Sequence, residues 1–239
     1  GHIIMEKTIV ITGASRGIGK AIAIELAGKD TNIVINCVNN VDKLNEVKSI
    51  IEEKGSVCET FIGDMGNYSD VQKMFDMCLQ RFGQVDVLIN NAGISVVGLF
   101  QDMGENEWHR ICNTNIDSVF NCCHFAVKDM MKRHCGKIIN ISSVWGLYGA
   151  SCEVAYSATK GAVNSFTKAL AKELAPSGIQ INAVACGAID TEMNGHLSDD
   201  DKASLAEEIP AGRFGSPQEV AKPVSYTHLR AHETLSDLV

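Results

Sequence analysis

Short apolar segments rich in β-branched residues recur along the chain and predict buried strands. They cover residues 8–12, 32–36, 57–62, 85–90, 137–142 and 179–185. In most of them Val and Ile follow one another without polar alternation, which is the pattern of a parallel strand covered on both faces. The chain is therefore expected to contain a largely parallel sheet.

Segments with helical spacing separate these strands. Ile18, Ile22 and Leu26 recur every four residues and so share one face of a helix. Further helices are predicted over residues 41–54, 69–82, 105–134 and 155–175. Strands that alternate with helices predict right-handed crossovers. The predicted fold class is α/β, a doubly wound Rossmann-type parallel sheet with helices on both faces, in a single domain.

The C-terminal part of the chain departs from this pattern. The stretch from Ser216 to Glu219 predicts a helix start, with a serine cap, Pro217 in the first turn and a glutamate that completes a capping box. Pro223 follows only six residues after Pro217 and predicts that this helix ends or kinks there. Residues 224–239 show neither a buried-strand run nor a clear amphipathic helix.

Composition excludes several classes of protein. The chain has 45% hydrophobic and 21% charged residues, which is ordinary for a globular protein. Its net charge of −8 argues against general nucleic-acid binding, and no run reaches the roughly 18 apolar residues of a membrane span. The nine cysteines form no C-x-x-C pair and indicate reduced thiols. A cytoplasmic protein with neither nucleic-acid nor membrane partners is expected.

A glycine-rich loop joins the first predicted strand to the first predicted helix. It runs Thr12-Gly13-Ala14-Ser15-Arg16-Gly17-Ile18-Gly19. Glycines let a backbone turn sharply and approach a pyrophosphate, while the helix N-terminus supplies N–H groups and partial positive charge. The alternative is a glycine turn without a ligand, but the flanking strand and helix favour dinucleotide binding. The spacing is G-x-x-x-G-x-G, not the more usual G-x-G-x-x-G.

Tyr156 and Lys160 stand four residues apart on a predicted helix and so project from one face. A free tyrosine has a pKa of about 10 and is a poor base at neutral pH. A nearby ammonium favours the phenolate, so Lys160 is expected to lower the pKa of Tyr156. Tyr156 would then give or take a proton during a reaction. An isolated surface pair is the alternative, and the glycine loop weighs against it.

Three motifs together resemble the classical short-chain dehydrogenase/reductase family. The glycine loop resembles its TGxxxGxG motif, Asn90-Asn91-Ala92-Gly93 its NNAG segment, and the pair Tyr156 and Lys160 its YxxxK signature. The resemblance spans roughly residues 7–221. Within the family the chain looks most like bacterial 3-oxoacyl-[acyl-carrier-protein] reductases, a likeness supported by the phrases 210–215 and 160–163.

The resemblance implies a catalytic set of Asn115, Ser143, Tyr156 and Lys160. Ser143 would bond the substrate oxygen, with Ser142 as the neighbouring alternative. Asn115 would hold a water that links Lys160 to solvent; its alternative is a capping or turn asparagine. The implied reaction is hydride transfer that reduces a carbonyl to a secondary alcohol, with Tyr156 as general acid/base.

The resemblance also implies a set of cofactor-binding residues. They are Gly13, Ser15, Arg16, Gly17, Ile18, Gly19, Asp64, Asn91, Ala92, Gly93, Tyr156, Lys160, Gly187, Ile189 and Thr191. Asp64 would accept from the adenine amino group. Cys37 occupies the position of the acid expected in an NAD-preferring member, and Arg16 offers a cation to a 2′-phosphate. NADP is therefore the predicted cofactor and NAD the alternative. Cys186 replaces the usual proline before Gly187, which should loosen that turn.

The predicted substrate is a small-molecule carbonyl compound, with a 3-oxoacyl thioester and an acyl carrier protein as the leading candidates. The basic cluster Lys132-Arg133-His134 lies near one carrier-binding position of the family, whereas Ser177 occupies the other, normally basic one. Reductases of acetoacetyl-CoA, steroids or sugars share the same tetrad, so the fold does not choose among them. A homo-oligomer, dimer or tetramer, is expected from the family.

The sequence divides into three predicted parts. Residues 1–4 are interpreted as a cloning remnant, 5–222 as the NAD(P)-binding catalytic domain and 223–239 as an atypical tail. Family members continue with a further helix, a seventh strand and a Gly-Gly ending, so a non-native tail is our hypothesis. A chain that binds cofactor but is inactive is the resulting alternative. His228 and His232 lack the acid of H-E-x-x-H, and no metal is expected. A nucleotide-sugar epimerase is disfavoured by the chain's length and glycine spacing.

Overall fold

Strands and helices alternate along the part of the chain that the structure describes. The structure is a computed structural model and describes residues 6–229, with side chains as far as residue 227. The strands are β1 (Lys7–Ile11), β2 (Thr31–Cys37), β3 (Val57–Ile62), β4 (Val87–Asn90), β5 (Gly136–Ser143) and β6 (Ile179–Cys186). The helices are α1 (Gly17–Leu26), α2 (Val41–Glu53), α3 (Tyr68–Phe82), α4 (Glu105–Cys112), α5 (Ser118–Arg133), α6 (Trp145–Tyr148), α7 (Val154–Leu174), α8 (Asp199–Glu208) and α9 (Pro217–Leu229).

The strands form one parallel sheet in the order β3-β2-β1-β4-β5-β6. Ile9 of β1 pairs with Ile33 of β2 on one side and with Val87 of β4 on the other. The chain order reverses between β1 and β4, and in such sheets ligands bind beyond the carboxyl ends of the strands at that point. The predicted doubly wound α/β fold is confirmed.

The sheet is buried on both faces by two separate apolar cores. Alternate residues of one strand serve opposite cores, so that Ile33 and Ile35 pack with α1, α2 and α9, whereas Val34 packs with α3, α5 and α7. Burial on both faces explains why the strands are almost continuously apolar rather than alternating. The pattern that predicted the strands is thus a direct consequence of the two helical layers.

Two predicted elements differ from the observed ones. The fourth strand begins at Val87 instead of residue 85, since the Val85 N–H donates to the buried carboxylate of Asp129 (3.0 Å). The single helix predicted over residues 105–134 is interrupted by a π-helical turn, Asn113–Asp117, between α4 and α5. Turns of this kind are frequent at functional sites.

The end of the described chain corrects the prediction made from Pro223. The predicted capping box is present, with the Ser216 N–H donating to Glu219 Oε2 (2.7 Å) and the Glu219 N–H donating to Ser216 Oγ (3.3 Å). However, α9 continues through Pro223 to Leu229. Val224 beyond the proline is fully buried in the core that contains α1, and this burial outweighs the local cost of the proline.

The predicted domain boundary at residue 222 therefore falls within α9. Residues 224–229 belong to that helix, contrary to the expectation that this stretch forms no regular element. The proposed remnant 1–4 and residues 230–239 lie outside the described residues. The non-native origin of the tail stays a hypothesis.

Replacing Pro223 with alanine should stabilise the protein. Alanine restores an N–H for the helical carbonyl one turn earlier and removes a ring clash, effects worth up to about 3 kcal/mol within a helix. The lower entropy of an unfolded chain with proline offsets part of this gain. We expect Pro223→Ala to raise the thermal midpoint by about 2–4 °C for each kcal/mol gained, measured by calorimetry.

Pro217→Ala is the matched control. Pro217 occupies the first position of α9, where proline is favourable, so this change should leave the midpoint unchanged or lower it. A midpoint that falls in Pro223→Ala would contradict the interpretation that packing holds α9 together across an unfavourable residue.

Candidate active site

A cleft lies beyond the carboxyl ends of β1 and β4, at the position where the strand order reverses. Its volume is about 360 Å³, within the usual range of ligand pockets. Predicted cofactor residues that line it are Gly13, Ser15, Arg16, Gly17, Ile18, Asp64, Asn91, Ala92, Gly93 and Thr191. Cys37 and Val38 line the same cleft after β2, so no carboxylate stands at the position where NAD-preferring members carry an acid.

The glycine loop packs so closely on the segment after β4 that side chains are excluded. Gly13 has φ +61°, and a Cβ there would lie 3.0 Å from the Ala92 Cα. A Cβ on Gly19 would overlap the Gly13 carbonyl oxygen and lie 2.5 Å from Asn91 Nδ2. The bare backbone and the α1 N-terminus beside it form a cradle of the kind that accepts a dinucleotide pyrophosphate. The residues present fit such a cofactor.

Two polar side chains, one from each segment, join this loop to the segment after β4. Thr12 Oγ1 accepts from the backbone N–H groups of Asn91 and Ala92 (both 3.0 Å). The Asn91 side-chain amide donates to the carbonyl oxygens of Thr12 (3.3 Å) and Gly13 (3.0 Å). Asn91 therefore shapes the cradle as well as lining it.

Asn36, near the end of β2, holds the loop from the other side and is not among the predicted site residues. The residue is 1% exposed, and its Oδ1 accepts from the Gly13 N–H (3.3 Å). Its Nδ2 donates to the carbonyl oxygens of Cys37, Phe61 and Gly63 at 3.1–3.2 Å. The available signal was a polar side chain near the end of an otherwise apolar strand.

The predicted catalytic residues come together from β5, α7 and the π-helical turn. Ser143 ends β5, and its hydroxyl is close enough to the Tyr156 phenol to lower the pKa of that phenol. The Lys160 ammonium lies 5.7 Å from the centre of the Tyr156 ring and donates to the Ile141 carbonyl oxygen (3.1 Å). It is also 3.4 Å from where a Cβ on Gly93 would lie. The group therefore meets the cleft at Gly93.

Ser142, the alternative to Ser143, faces elsewhere. Its hydroxyl is buried and donates to the Lys160 backbone carbonyl oxygen (3.3 Å). It is thus committed to packing between β5 and α7. The geometry favours Ser143 as the serine that meets a substrate.

Asn115 is fully buried, and its side chain holds the loop that follows Gly93. Its Oδ1 accepts from the Ile94 N–H (2.8 Å), and its Nδ2 donates to the Ile94 carbonyl oxygen (2.8 Å) and to Thr159 Oγ1 (3.1 Å). The amide is therefore engaged by protein atoms and fixes the edge of the cleft against α7. The expected water link to Lys160 stays a prediction.

Burial changes the acid–base properties of the pair from those expected. It raises the pKa of Tyr156 to about 12, with smaller increases from Cys186 and Glu153 and a decrease from the Ser143 hydrogen bond. It also lowers the pKa of Lys160 to about 8. The expectation that the pKa of Tyr156 would be lowered beside Lys160 is wrong, because desolvation of the phenolate is the larger effect. At neutral pH the pair is a phenol beside an ammonium.

The segment after β6 contributes unequally to the cleft. Thr191 lines it, whereas Gly187 and Ile189 are absent from the described lining; Ile189 instead packs against the core and bridges Gly215. Cys186 pairs with Ser143 across the sheet, and its carbonyl oxygen accepts from the Val144 N–H (2.9 Å). The cysteine that replaces the expected proline is therefore held by the sheet.

Other predicted features are placed as follows. Asp64 lines the cleft while its carboxylate accepts from the Gly66 N–H (2.9 Å) and the Asn113 amide (3.2 Å).

In the basic cluster, Arg133 pairs with Asp86 (3.1 Å) and Asp129 (2.9 Å). Arg133 is thus a structural residue and does not present its charge to an acidic partner, whereas Lys132 and His134 are exposed.

Residues 6–229 contain neither a membrane-spanning helix nor a cluster of metal ligands. No helix there is both long and apolar enough to cross a membrane. No group of three or more His, Cys, Asp or Glu side chains in this range is placed to hold a metal ion. The His228 side chain and His232 lie outside the described side chains.

Comparison with known proteins identifies relatives that match most of the chain. Residues 7–202 match the family model described as short chain dehydrogenase. The chain is 39% identical over 222 residues to the 3-oxoacyl-[acyl-carrier-protein] reductase FabG of Staphylococcus epidermidis, covering 93% of this chain and 91% of the relative. It is 39% identical to the same-named protein of Staphylococcus aureus (93% and 90% covered). It is 37% identical to that of Salmonella typhimurium (92% and 88% covered).

Loss of the Asn36 amide should weaken both the fold and the cradle. Asn36→Ala leaves the Gly13 N–H and three carbonyl oxygens without this partner, and unsatisfied buried groups cost about 1–3 kcal/mol each. Allowing for access of water to some of them, we expect the free energy of unfolding to fall by about 2–4 kcal/mol in urea titrations. Asn39→Ala, at an exposed position of the same cleft, should change it by less than about 0.5 kcal/mol. Equal effects in both variants would contradict the role given to Asn36.

Proposed function

The chain belongs to the short-chain dehydrogenase family and is an NAD(P)-dependent oxidoreductase, and from this premise we propose that it uses NADPH to reduce the 3-oxo group of an acyl thioester. The observation that carries the proposal is the convergence of Ser143, Tyr156 and Lys160 beside Gly93, at the edge of a cleft shaped for a dinucleotide. The activity for which the relatives are named supplies the substrate class.

The protein's part in the reaction follows from the protonation states of the pair. When bound, the nicotinamide supplies the hydride. Ser143 holds the substrate oxygen, and Tyr156 donates its phenolic proton to that oxygen as negative charge develops there. A phenol with a pKa of about 12 is protonated at neutral pH and is thus already the acid that reduction requires.

Lys160 has two functions in this proposal. Its ammonium, still charged at neutral pH with a pKa of about 8, stabilises the phenolate left on Tyr156. It would also bind the nicotinamide ribose hydroxyls from its position next to Gly93. Asn115 positions the Ile94 backbone on the same edge and orders the substrate side of the cleft.

NADP as the specific cofactor is supported by the charges around the adenosine end. Cys37 and Val38 provide no carboxylate that would bind the ribose hydroxyls of NAD or repel a 2′-phosphate. Arg16 lies in the cleft wall and provides a cation. NAD is the alternative. We also propose a cytoplasmic location, supported by the free thiol state of all nine cysteines.

An acyl carrier protein is the proposed carrier of the substrate, since the named relatives act on such thioesters. With Arg133 engaged internally, Lys132 and His134 are the exposed basic residues of that cluster. Acetoacetyl-CoA, a steroid or a sugar ketone are the competing substrates. A homo-oligomer is supported by apolar side chains exposed on α4 and α5, where Trp108, Phe120 and Met131 are 37%, 49% and 39% exposed.

NADPH oxidation at 340 nm distinguishes these substrates. We expect turnover with a 3-oxoacyl carrier protein, weaker turnover with acetoacetyl-CoA, and less with a ketosteroid or with NADH. Tyr156→Phe should reduce kcat by about 10²–10⁴-fold and leave NADPH affinity nearly unchanged. Tyr68→Phe, a partly exposed tyrosine on α3, is the control. Full activity in Tyr156→Phe would refute the proposed acid; NADPH binding without turnover on any substrate would favour the inactive alternative.

The pH profile of reduction should reflect Lys160. Because its pKa is lowered to about 8, Lys160 loses its charge as pH rises through that value, while Tyr156 keeps its proton up to about 12. We therefore expect kcat/KM for reduction to be constant below pH ~8 and to fall about tenfold per pH unit above it, as this parameter follows the free enzyme. An undiminished rate at pH 10 would contradict this assignment.

A further inference from the structure

Glu192 bridges two cations at the mouth of the cofactor cleft. Its Oε2 lies 2.9 Å from an Arg16 guanidinium nitrogen, and its Oε1 lies 3.2 Å from Lys43 Nζ. Arg16 belongs to the glycine loop, Lys43 to the first turn of α2, and Glu192 to the segment after β6. Three distant parts of the chain thus meet on one carboxylate, and Arg16 and Glu192 both line the cleft.

The bridge is solvent-exposed and therefore easily exchanged. The three side chains are 56%, 46% and 54% exposed for Arg16, Lys43 and Glu192, and exposed ion pairs contribute little to stability. Hydrogen bonds from Lys43 and Arg16 lower the pKa of Glu192, which is an anion at neutral pH. The fold does not need this bridge, and the two cations are available to a better anion.

A phosphate is such an anion. It carries more charge than a carboxylate and offers more oxygens to the same guanidinium and ammonium groups. The neighbouring cleft wall is formed by Cys37, Val38 and Asn39, which place no other carboxylate there. In Rossmann-type folds the adenosine ribose of the cofactor binds at the end of the second strand, which is β2 here.

We propose that Lys43 and Arg16 together form the site for the 2′-phosphate of NADP, and that Glu192 occupies this site in the free enzyme and is displaced by the phosphate. The inference rests on the proposed use of NADP and adds two specificity-determining residues, Lys43 and Glu192. A dinucleotide without the 2′-phosphate leaves the bridge in place.

Displacement would make the mobility of the segment that follows Glu192 depend on which cofactor is bound. Thr191 lines the cleft, and residues 192–198 lead directly into α8. When a phosphate takes both cations, the Glu192 carboxylate faces a like charge and must move away. The segment from Glu192 to α8 is then released in the NADPH complex but stays tethered in the NADH complex.

A fixed bridge would act in the opposite way. If Glu192 stayed on Arg16 and Lys43, its charge would repel a 2′-phosphate and favour NAD. Removal of the Glu192 charge should tighten 2′-phosphate binding in both cases. The two possibilities are therefore separated by whether the segment after Glu192 is released when NADPH binds.

Calorimetric titration of the full chain with 2′,5′-ADP and 5′-AMP tests the site without a nicotinamide. We expect Lys43→Gln to weaken 2′,5′-ADP binding about two- to fivefold, and Glu192→Gln to tighten it about two- to fivefold, in the range of surface charge pairs. Binding of 5′-AMP should change less than about twofold in both. Lys48→Gln on the same helix, whose side chain pairs with Glu52, is the control and should change neither. Weaker 2′,5′-ADP binding in Glu192→Gln, or equal effects of Lys43→Gln on both nucleotides, would overturn the proposal.

Hydrogen exchange tests the displacement itself. Peptides covering residues 192–208 should exchange faster in the NADPH complex than in the NADH complex, and this difference should disappear in Glu192→Gln. Equal exchange in both complexes of the wild-type chain would overturn the displacement. Neither measurement depends on turnover, so an inactive chain can still support the proposed phosphate site. An active reductase whose Lys43→Gln variant binds 2′,5′-ADP normally would reject that site and leave the proposed reaction intact.

Discussion

The close approach of two backbone segments, the glycine loop after β1 and the Asn91–Gly93 stretch after β4, is the constraint on which the rest of the site depends. No side chain fits at Gly13 or Gly19 because the opposite backbone and the Asn91 amide already occupy the space. This contact leaves main-chain N–H groups and a helix N-terminus facing the cleft, which is where a pyrophosphate is stabilised. The same contact sets the position of Gly93, and hence of the Lys160 ammonium beside it.

Buried polar side chains maintain that contact at modest cost, because nearly all of their hydrogen bonds are satisfied. Thr12 and Asn91 join the loop to β4, and Asn36 joins it to the ends of β2 and β3. A buried polar group is costly only when it is left unpaired. The cofactor cradle is thus held by buried hydrogen bonds, whereas at the mouth of the cleft Glu192 makes exposed ion pairs with Arg16 and Lys43. This contrast allows a ligand to exchange contacts at the mouth without disturbing the cradle.

The pair Tyr156 and Lys160 shows why spacing alone gives an incomplete account of acid–base chemistry. Four residues of helix place Lys160 next to Tyr156, and this spacing alone predicts only an attraction between ammonium and phenolate. Burial disfavours both charged forms, so it raises the pKa of Tyr156 to about 12 and lowers the pKa of Lys160 to about 8. The site that results holds its proton on the tyrosine, a state suited to reduction.

The sequence by itself determined the sheet, its helical layers, the glycine loop and the Tyr156–Lys160 pair, because each is encoded in residues close together in the chain and in periods set by helix and strand geometry. Tertiary structure alone decided the remaining features. The helix α9 passes through Pro223 because Val224 is buried against a distant core. Asn36 serves the loop because β2 ends beside it, and Glu192 meets Lys43 although 149 residues separate them. Contacts of this kind depend on burial and on chain segments that only the folded sheet brings together. A local pattern could mark Asn36 as unusual, but it could not indicate the partners of Asn36 or of Glu192.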